Sequence, residues 1–179
     1  QLASGLSQDV ETDDNVFRQT TARLPWLLIG MLGGIGNSMI LGNFDSTFAA
    51  HPEMALYIPL IGGTGGNVGT QSSALVVQGL ANSSLNAENT FKQVLKESVV
   101  ALINATIISM LVYIYNFIRF GATATVSYSV SISLFAVVMF ASIFATLVPM
   151  TLEKLKIDPA IATGPFISIT NDIIGMLMY

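Results

Sequence analysis

Hydrophobic residues occur in long runs along this chain, and charged residues interrupt them only at widely spaced points. No Asp, Glu, Lys or Arg occurs at positions 54–81, 98–118 or 120–152. A helix of about 20 apolar residues is enough to cross the roughly 30 Å hydrocarbon core of a bilayer. The pattern therefore predicts transmembrane helices and an all-α, polytopic membrane protein.

Five such segments are predicted, with short polar segments between them. Pro25 suits the first turn of the first helix, and Asp158 followed by Pro159 is typical of a helix start. The predicted spans are residues 24–44, 54–81, 98–120, 125–152 and 158–179. The chain accordingly divides into a polar N-terminal cytosolic tail, residues 1–22, and a transmembrane domain, residues 23–179.

Composition supports the membrane class and excludes several others. Hydrophobic residues make up 52% of the chain and charged residues 10%, whereas soluble domains carry about a quarter charged residues. Cysteine is absent, which excludes disulfides, thiolate metal sites and cysteine nucleophiles. The net charge of −4 comes mainly from the tail. No basic patch interleaved with aromatic residues indicates a nucleic-acid partner, so the lipid bilayer is the expected environment.

Basic residues cluster on one side of the predicted spans. Six of the seven lie in segments that would share a side, and Arg119 alone lies on the other. Because Lys and Arg are enriched in cytoplasmic loops, we expect a multi-pass protein of the plasma (inner) membrane. Its N-terminus would lie in the cytoplasm and its C-terminus outside. His51 would then lie in an outer loop, where a solvated side chain is favoured over a cation ligand.

One carboxylate lies well inside a predicted span. Asp172 is about 20 Å along the fifth helix from Pro159 at 1.5 Å per residue, where a charge costs at least about 2.5–3.5 kcal/mol. No Lys or Arg lies inside a span to pair with it, so water, a bound cation or protonation must offset the charge. A hydrated, cation-binding carboxylate is favoured, and a neutral Asp hydrogen-bonded between helices is the alternative. Ser168 and Ile169 lie one helical turn away on the same face.

A proline interrupts the same segment. Pro165 has no backbone N–H, so a carbonyl one turn earlier loses its partner. We expect Gly164 and Pro165 to kink the fifth helix and to expose carbonyl oxygens beside Thr163. Oxygen ligands of this kind suit hard cations. A kink that serves packing alone is an equally good interpretation.

Glycine is concentrated in the second segment. Gly62/Gly66 and Gly65/Gly69 have the four-residue spacing that lets helix backbones approach closely. Asn67 and Gln71 share one helix face. Either the amides bond between packed helices, or the helix lines a narrow pathway with the amide oxygens facing it. The first segment repeats the pattern more weakly, and there packing is favoured; its residues are Gly30, Gly33, Gly34 and Asn37.

Three motifs resemble the transmembrane domain of the MgtE family of magnesium channels and transporters. They are Arg-Leu-Pro-Trp-Leu-Leu at 23–28, the run from Pro59 to Gln71-Ser-Ser-Ala, and the fifth segment with Asp158-Pro-Ala, Gly164-Pro and Asn171-Asp172-Ile. The motifs occur in order across residues 23–179. Members of the family typically carry a cytosolic region with paired CBS modules that closes the pore. Residues 1–22 are too few to form it, so gating by such modules is not expected of this sequence.

The resemblance implies a homodimer of five-helix subunits with an ion path at the dimer interface. It also implies that Asp172 faces this path and holds hydrated Mg²⁺, the transported ion, with help from the second and fifth helices. The expected ion-contacting residues are Asp172, Asn67, Gln71, Ser168, Ile169 and Thr163. The expected pore-lining or helix-packing residues are Gly65, Gly66, Gly69, Gly164, Pro165 and Asn171.

The predicted function is passage of hydrated Mg²⁺ or a related divalent cation down its electrochemical gradient. One alternative is a secondary transporter of another solute coupled to protons or sodium through Asp172, which a broken, glycine-rich second helix would favour. Another is a purely structural membrane subunit. Enzymatic function is not expected, because the spans hold a single carboxylate, His51 lies in a loop and no His-Glu-x-x-His motif occurs.

Overall fold

The computed structural model describes residues 11, 13–85, 89–121, 125–162 and 164–179, and every regular element among these residues is a helix. The all-α class is therefore confirmed. The elements in chain order are α1 (Val16–Gly42), α2 (Asp45–Ala50), α3 (Pro52–Ala55), α4 (Ile58–Ala81), α5 (Thr90–Phe120), α6 (Thr125–Lys154), a 3-10 helix (Pro159–Ala162) and α7 (Pro165–Met178).

Three helices of the described chain are long and apolar enough to cross a membrane, namely α1, α5 and α6. They agree with the first, third and fourth predicted spans. The glycine-rich α4 is one continuous helix of 24 residues, and α7 is a shorter apolar helix of 14 residues. The structure therefore supports a multi-pass membrane protein, while the count of five spans stays a prediction.

The helix α6 lies at the centre of the bundle. It packs against α4 and α5, while α7 packs against α4, and α1 contacts α7. In the most apolar stretch of α6, 56% of the residues are buried, against none in that of α1. The large apolar side chains of α1 and α5 are exposed instead, as with Leu32 and Leu111. Such faces suit contact with lipid, and the arrangement places α7 between α4 and α1.

The first helix begins earlier than the predicted span. Asn15 is its N-cap, and the Asn15 side-chain oxygen accepts a hydrogen bond of 2.8 Å from the backbone N–H of Arg18. Arg18 also pairs with Asp14 at 2.8 Å. Because this capped turn starts the helix upstream, Pro25 lies inside α1 rather than in its first turn, and that detail of the prediction is wrong. The helix thus includes residues that had been assigned to the polar tail.

The fifth predicted span consists of two elements. The Asp158 carboxylate caps the 3-10 helix by accepting a 2.9 Å hydrogen bond from the Ala160 N–H. Gly164 then adopts a left-handed φ of 60°, a conformation that glycine adopts without steric cost, and Pro165 occupies the first turn of α7. The prediction of one kinked helix from residue 158 is therefore wrong, although the interruption falls at the predicted Gly-Pro pair. Thr163 lies outside the described residues.

A carboxylate joins the three helices α4, α5 and α6. Glu97 of α5 accepts a 2.7 Å hydrogen bond from the Ser72 hydroxyl of α4, and the Ser142 hydroxyl of α6 donates to the same carboxylate oxygen. Both serines are buried. Since hydrogen bonds to a charged acceptor are the stronger kind, Glu97 fixes α4 against α5 and α6. The sequence had placed Glu97 in a polar connecting segment, but α5 already begins at Thr90.

Candidate functional site

A groove of about 270 Å³ runs between α1, α4 and α7. We call it the α1–α4–α7 groove. Among the described residues that line it, Asp172 is the one with an ionisable side chain. The lining residues are Asn37, Leu41, Ile58, Gly62, Gly63, Gly66, Asn67, Thr70, Ser168, Asp172 and Met176.

Glycines bring α4 against α7 beside this carboxylate. A Cβ atom added to Gly66 would lie 2.9 Å from the Ser168 hydroxyl oxygen and 3.3 Å from the Asp172 Oδ1 atom. A Cβ on Gly62 would lie 3.6 Å from the same Asp172 oxygen. The carboxylate therefore lies directly over the bare backbone of α4. An added Cβ would be unusually close to its neighbours at Gly66 but would make an ordinary van der Waals contact at Gly62, so the close approach depends most on Gly66.

A second glycine contact locks the two helices together. Asn171 is buried to 1% exposure, and its amide lies where a Cβ on Gly69 would be, with Ile167 also in contact. Within the described chain neither polar atom of this amide has a hydrogen-bond partner. Asn171 and Gly69 thus belong to the packed interface of α4 and α7, on the side away from the groove.

Polarity changes along the groove. Leu41, Ile58 and Met176 lie at one end, where α1 and α7 finish and α4 begins. Asn67 and Ser168 lie at the other end, with Thr70. Asp172 lies between the two ends, because it is one helical turn from both Ser168 and Met176. A polar solute could therefore reach the carboxylate along a surface of neutral oxygen atoms from one end and would meet apolar groups beyond it.

The polar end can accept hydrogen bonds. The Thr70 hydroxyl donates its hydrogen to the Gly66 carbonyl at 2.8 Å, which leaves its oxygen lone pairs for another donor. The water shell of a metal cation presents O–H donors outwards. Acceptor oxygens beside a carboxylate, with no basic side chain among the described lining residues, are the groups that such an ion requires.

The structure brings together part of the predicted ion-contacting set. Asp172, Asn67 and Ser168 line the groove. Gln71 is exposed and lies outside the lining, and Ile169 packs against Gly33 of α1. Both stay predictions as ion contacts, although their placement gives them no support.

Among the predicted pore-lining or packing residues, only one lines the groove. Gly66 does so, whereas Gly65 packs against Val137 of α6. Gly164 and Pro165 form the break before α7, away from the groove lining.

Two polar residues of the groove were not expected from the sequence. Asn37 had been assigned to helix packing, and Thr70 had not been singled out. The signal for Asn37 was present, since an amide sits in an apolar helix one turn after Gly33. Only the packing of α1 against α7 shows which way that face points.

The acidic and histidine residues of the described chain do not form a conventional metal centre. No group of three such side chains is close enough to hold a metal ion there. A cation would be held by one carboxylate per chain together with neutral oxygens. Such a site suits weak binding of a passing ion better than permanent retention, because conduction requires that the ion also leave.

These features define a class: a multi-pass helical membrane protein with a single carboxylate in a polar groove between helices. Comparison with known proteins assigns the family. The sequence model of MgtE, described as a divalent cation transporter, matches residues 58–179. The chain therefore belongs to the MgtE family of divalent cation transporters, and the resemblance inferred from the motifs is confirmed.

Several relatives in this family share extended similarity with the chain. The magnesium transporter MgtE of Bacillus subtilis (strain 168) is 32% identical over 177 residues, which cover 99% of this chain and 39% of that protein. That of Thermus thermophilus is 33% identical over 158 residues, or 88% of this chain and 35% of that protein. That of Enterococcus faecalis is 28% identical over 169 residues, which cover 94% of this chain and 37% of that protein. The chain thus spans less than two fifths of the length of these relatives.

Proposed function

We propose that the chain conducts hydrated Mg²⁺ across the membrane through the α1–α4–α7 groove, with Asp172 as the residue that holds the ion. The observation that carries the proposal is the Asp172 carboxylate over the bare backbone of α4, among neutral oxygens and with no basic side chain among the described lining residues. Three relatives named magnesium transporter support Mg²⁺ as the ion.

The groove is large enough for an ion that keeps its water. Six waters occupy about 180 Å³ at the liquid volume of about 30 Å³ each, and the groove measures about 270 Å³. Mg²⁺ dehydrates reluctantly, so contact through its water shell avoids most of that cost. The Asp172 carboxylate and the oxygens of Asn67 and Ser168 would then accept hydrogen bonds from the bound waters.

A second copy of the chain would complete the path. In a homodimer with the groove at its interface, two Asp172 carboxylates would balance the two charges of the ion. The proposal keeps five transmembrane helices per subunit, with α4 and α7 as the second and fifth spans. We also propose that the chain lies in the plasma (inner) membrane, with its N-terminus in the cytoplasm and its C-terminus outside, because the distribution of Lys and Arg favours this orientation.

The coupled-transporter alternative loses its main support. It was favoured by the possibility of a broken second helix, since discontinuous helices form the binding sites of many secondary transporters. The helix α4 is continuous through all its glycines. Gly164, which precedes α7, is not among the described residues that line the groove.

The test is ion uptake into proteoliposomes that contain the 179-residue chain. We expect Mg²⁺ uptake to follow the imposed Mg²⁺ gradient and membrane voltage, and to be insensitive to a pH or sodium gradient imposed at zero Mg²⁺ gradient. Empty liposomes are the control. Uptake driven by a pH or sodium gradient alone would support the coupled transporter, and no uptake under any gradient would support a structural subunit.

A further inference from the structure

We infer that Asn37 of α1 also contacts the hydrated ion, so that the cation site has three helices as its walls rather than two. This inference rests on the proposed function. It concerns a residue for which the sequence favoured packing, and it assigns to α1 a direct part in the choice of ion.

The packing of α1 against α7 places Asn37 in the lining of the groove that Asp172 also lines. Ile169 of α7 lies in the space that a side chain at Gly33 would fill. The two helices run in the same direction, since the ends of both lie at the apolar end of the groove. Asn37 follows Gly33 by one turn of α1, just as Asp172 follows Ile169 along α7. Both Asn37 and Asp172 line the groove as a result.

The side-chain oxygen of Asn37 has no hydrogen-bond partner among the described residues. This Oδ1 atom is buried. A buried acceptor without a donor destabilises a protein by about 1–3 kcal/mol. A change of side-chain rotamer that brings this oxygen to the groove, which Asn37 lines, would let a water of the ion's shell donate to it. An ion in the groove would then supply the donor that the oxygen lacks.

A neutral amide also suits the chemistry of selection. It accepts a hydrogen bond from a bound water but attracts the bare ion far less than a carboxylate does. Mg²⁺ keeps its waters in nearly ideal octahedral geometry, whereas Ca²⁺ accepts more ligands in flexible arrangements. An acceptor on α1 in the groove that Asp172 also lines would therefore favour the compact, fully hydrated ion. We expect Asn37 to raise the preference for Mg²⁺ over Ca²⁺.

The first measurement compares Mg²⁺ uptake by the wild type with uptake by Asn37→Leu, which keeps the side-chain size and removes both polar atoms. We expect the half-saturating Mg²⁺ concentration to rise about tenfold, because a tenfold change in affinity corresponds to the loss of about one hydrogen bond. We also expect Ca²⁺ to compete better with Mg²⁺ for uptake. The matched control is Asn43→Leu, because Asn43 caps the same helix, is exposed and donates to the Met39 carbonyl outside the groove. Equal behaviour of Asn37→Leu and the wild type would overturn the inference.

The second measurement moves the charge and does not depend on how well the leucine variant folds. Asp172→Asn should take up little Mg²⁺. The double variant Asn37→Asp/Asp172→Asn should take up at least about tenfold more Mg²⁺ than Asp172→Asn alone, because a carboxylate then faces the same groove from α1. A double variant that folds and recovers nothing would overturn the role of Asn37 while leaving the proposed function intact. Full uptake by Asp172→Asn alone would instead overturn the proposed function.

Discussion

Asp172→Asn is expected to lower Mg²⁺ uptake about a hundredfold while leaving the protein folded. The substitution keeps the shape of the side chain and removes its charge. A unit charge about 4 Å from another contributes about 4 kcal/mol at an effective dielectric constant near 20, and each 1.4 kcal/mol corresponds to about a tenfold change in binding. The remaining Asn dipole recovers part of the loss. Initial rates of uptake into proteoliposomes at sub-saturating Mg²⁺ measure the effect.

The control for this prediction is Asp158→Asn. Asp158 belongs to the same part of the chain but is exposed, and its carboxylate caps the 3-10 helix rather than facing the groove. We expect Mg²⁺ uptake by Asp158→Asn to stay within about twofold of uptake by the wild type. Loss of an exposed cap lowers the stability by about 1 kcal/mol, and it removes no contact with the ion. Comparable uptake by Asp172→Asn and the wild type would contradict the assignment of Asp172.

Gly69→Ala is expected to destabilise the protein severely, by about 3 kcal/mol or more. The added Cβ would collide with the Asn171 amide and lie 2.8 Å from the Ile167 Cγ2 atom. Overpacking of a close interface costs about 1–3 kcal/mol even where neighbours can shift, and here α4 and α7 would have to separate. The measurement is thermal unfolding in detergent, followed by the size-exclusion profile.

Gly63→Ala separates this collision from the general effect of alanine in a helix. Gly63 lies in the same helix, and a Cβ there meets no atom within 4 Å. Since alanine exceeds glycine by about 1 kcal/mol in helix propensity, we expect Gly63→Ala to be neutral or stabilising. Adding Asn171→Ala to Gly69→Ala should recover part of the lost stability by vacating the space. If both glycine variants unfold at the same temperature, the close contact of α4 with α7 is wrong.

The long helices could be predicted from the sequence because uncharged apolar runs leave little choice of structure. The runs that became α1, α5 and α6 are of this kind. The boundaries were harder, because they depend on local hydrogen bonds that a hydropathy pattern does not contain. The Asn15 cap starts α1 upstream of the apolar run. The left-handed Gly164 ends one element and lets another begin at Pro165.

The candidate site was predictable where a residue is unusual for its surroundings. An aspartate inside an apolar span stands out in any sequence, and so do five glycines within eight positions. Amides in apolar helices also stand out, but the sequence does not show which way they face. Which of Asn37, Gln71 and Asn171 face the groove depends on the rotation of each helix about its axis. That rotation is set by contacts such as those of Gly33 with Ile169 and of Gly69 with Asn171, which no single helix pattern encodes.

The most direct test of the account is the position of the ion. Crystals of the chain can be soaked in Mn²⁺, which shares the preference of Mg²⁺ for oxygen ligands, and measured at the manganese absorption edge. We predict an anomalous peak in the α1–α4–α7 groove, about 4–5 Å from the Asp172 carboxylate oxygens with water between, and its loss when Mg²⁺ is added in excess. Manganese peaks confined to the surface, with none in the groove of the wild type, would contradict the central claim.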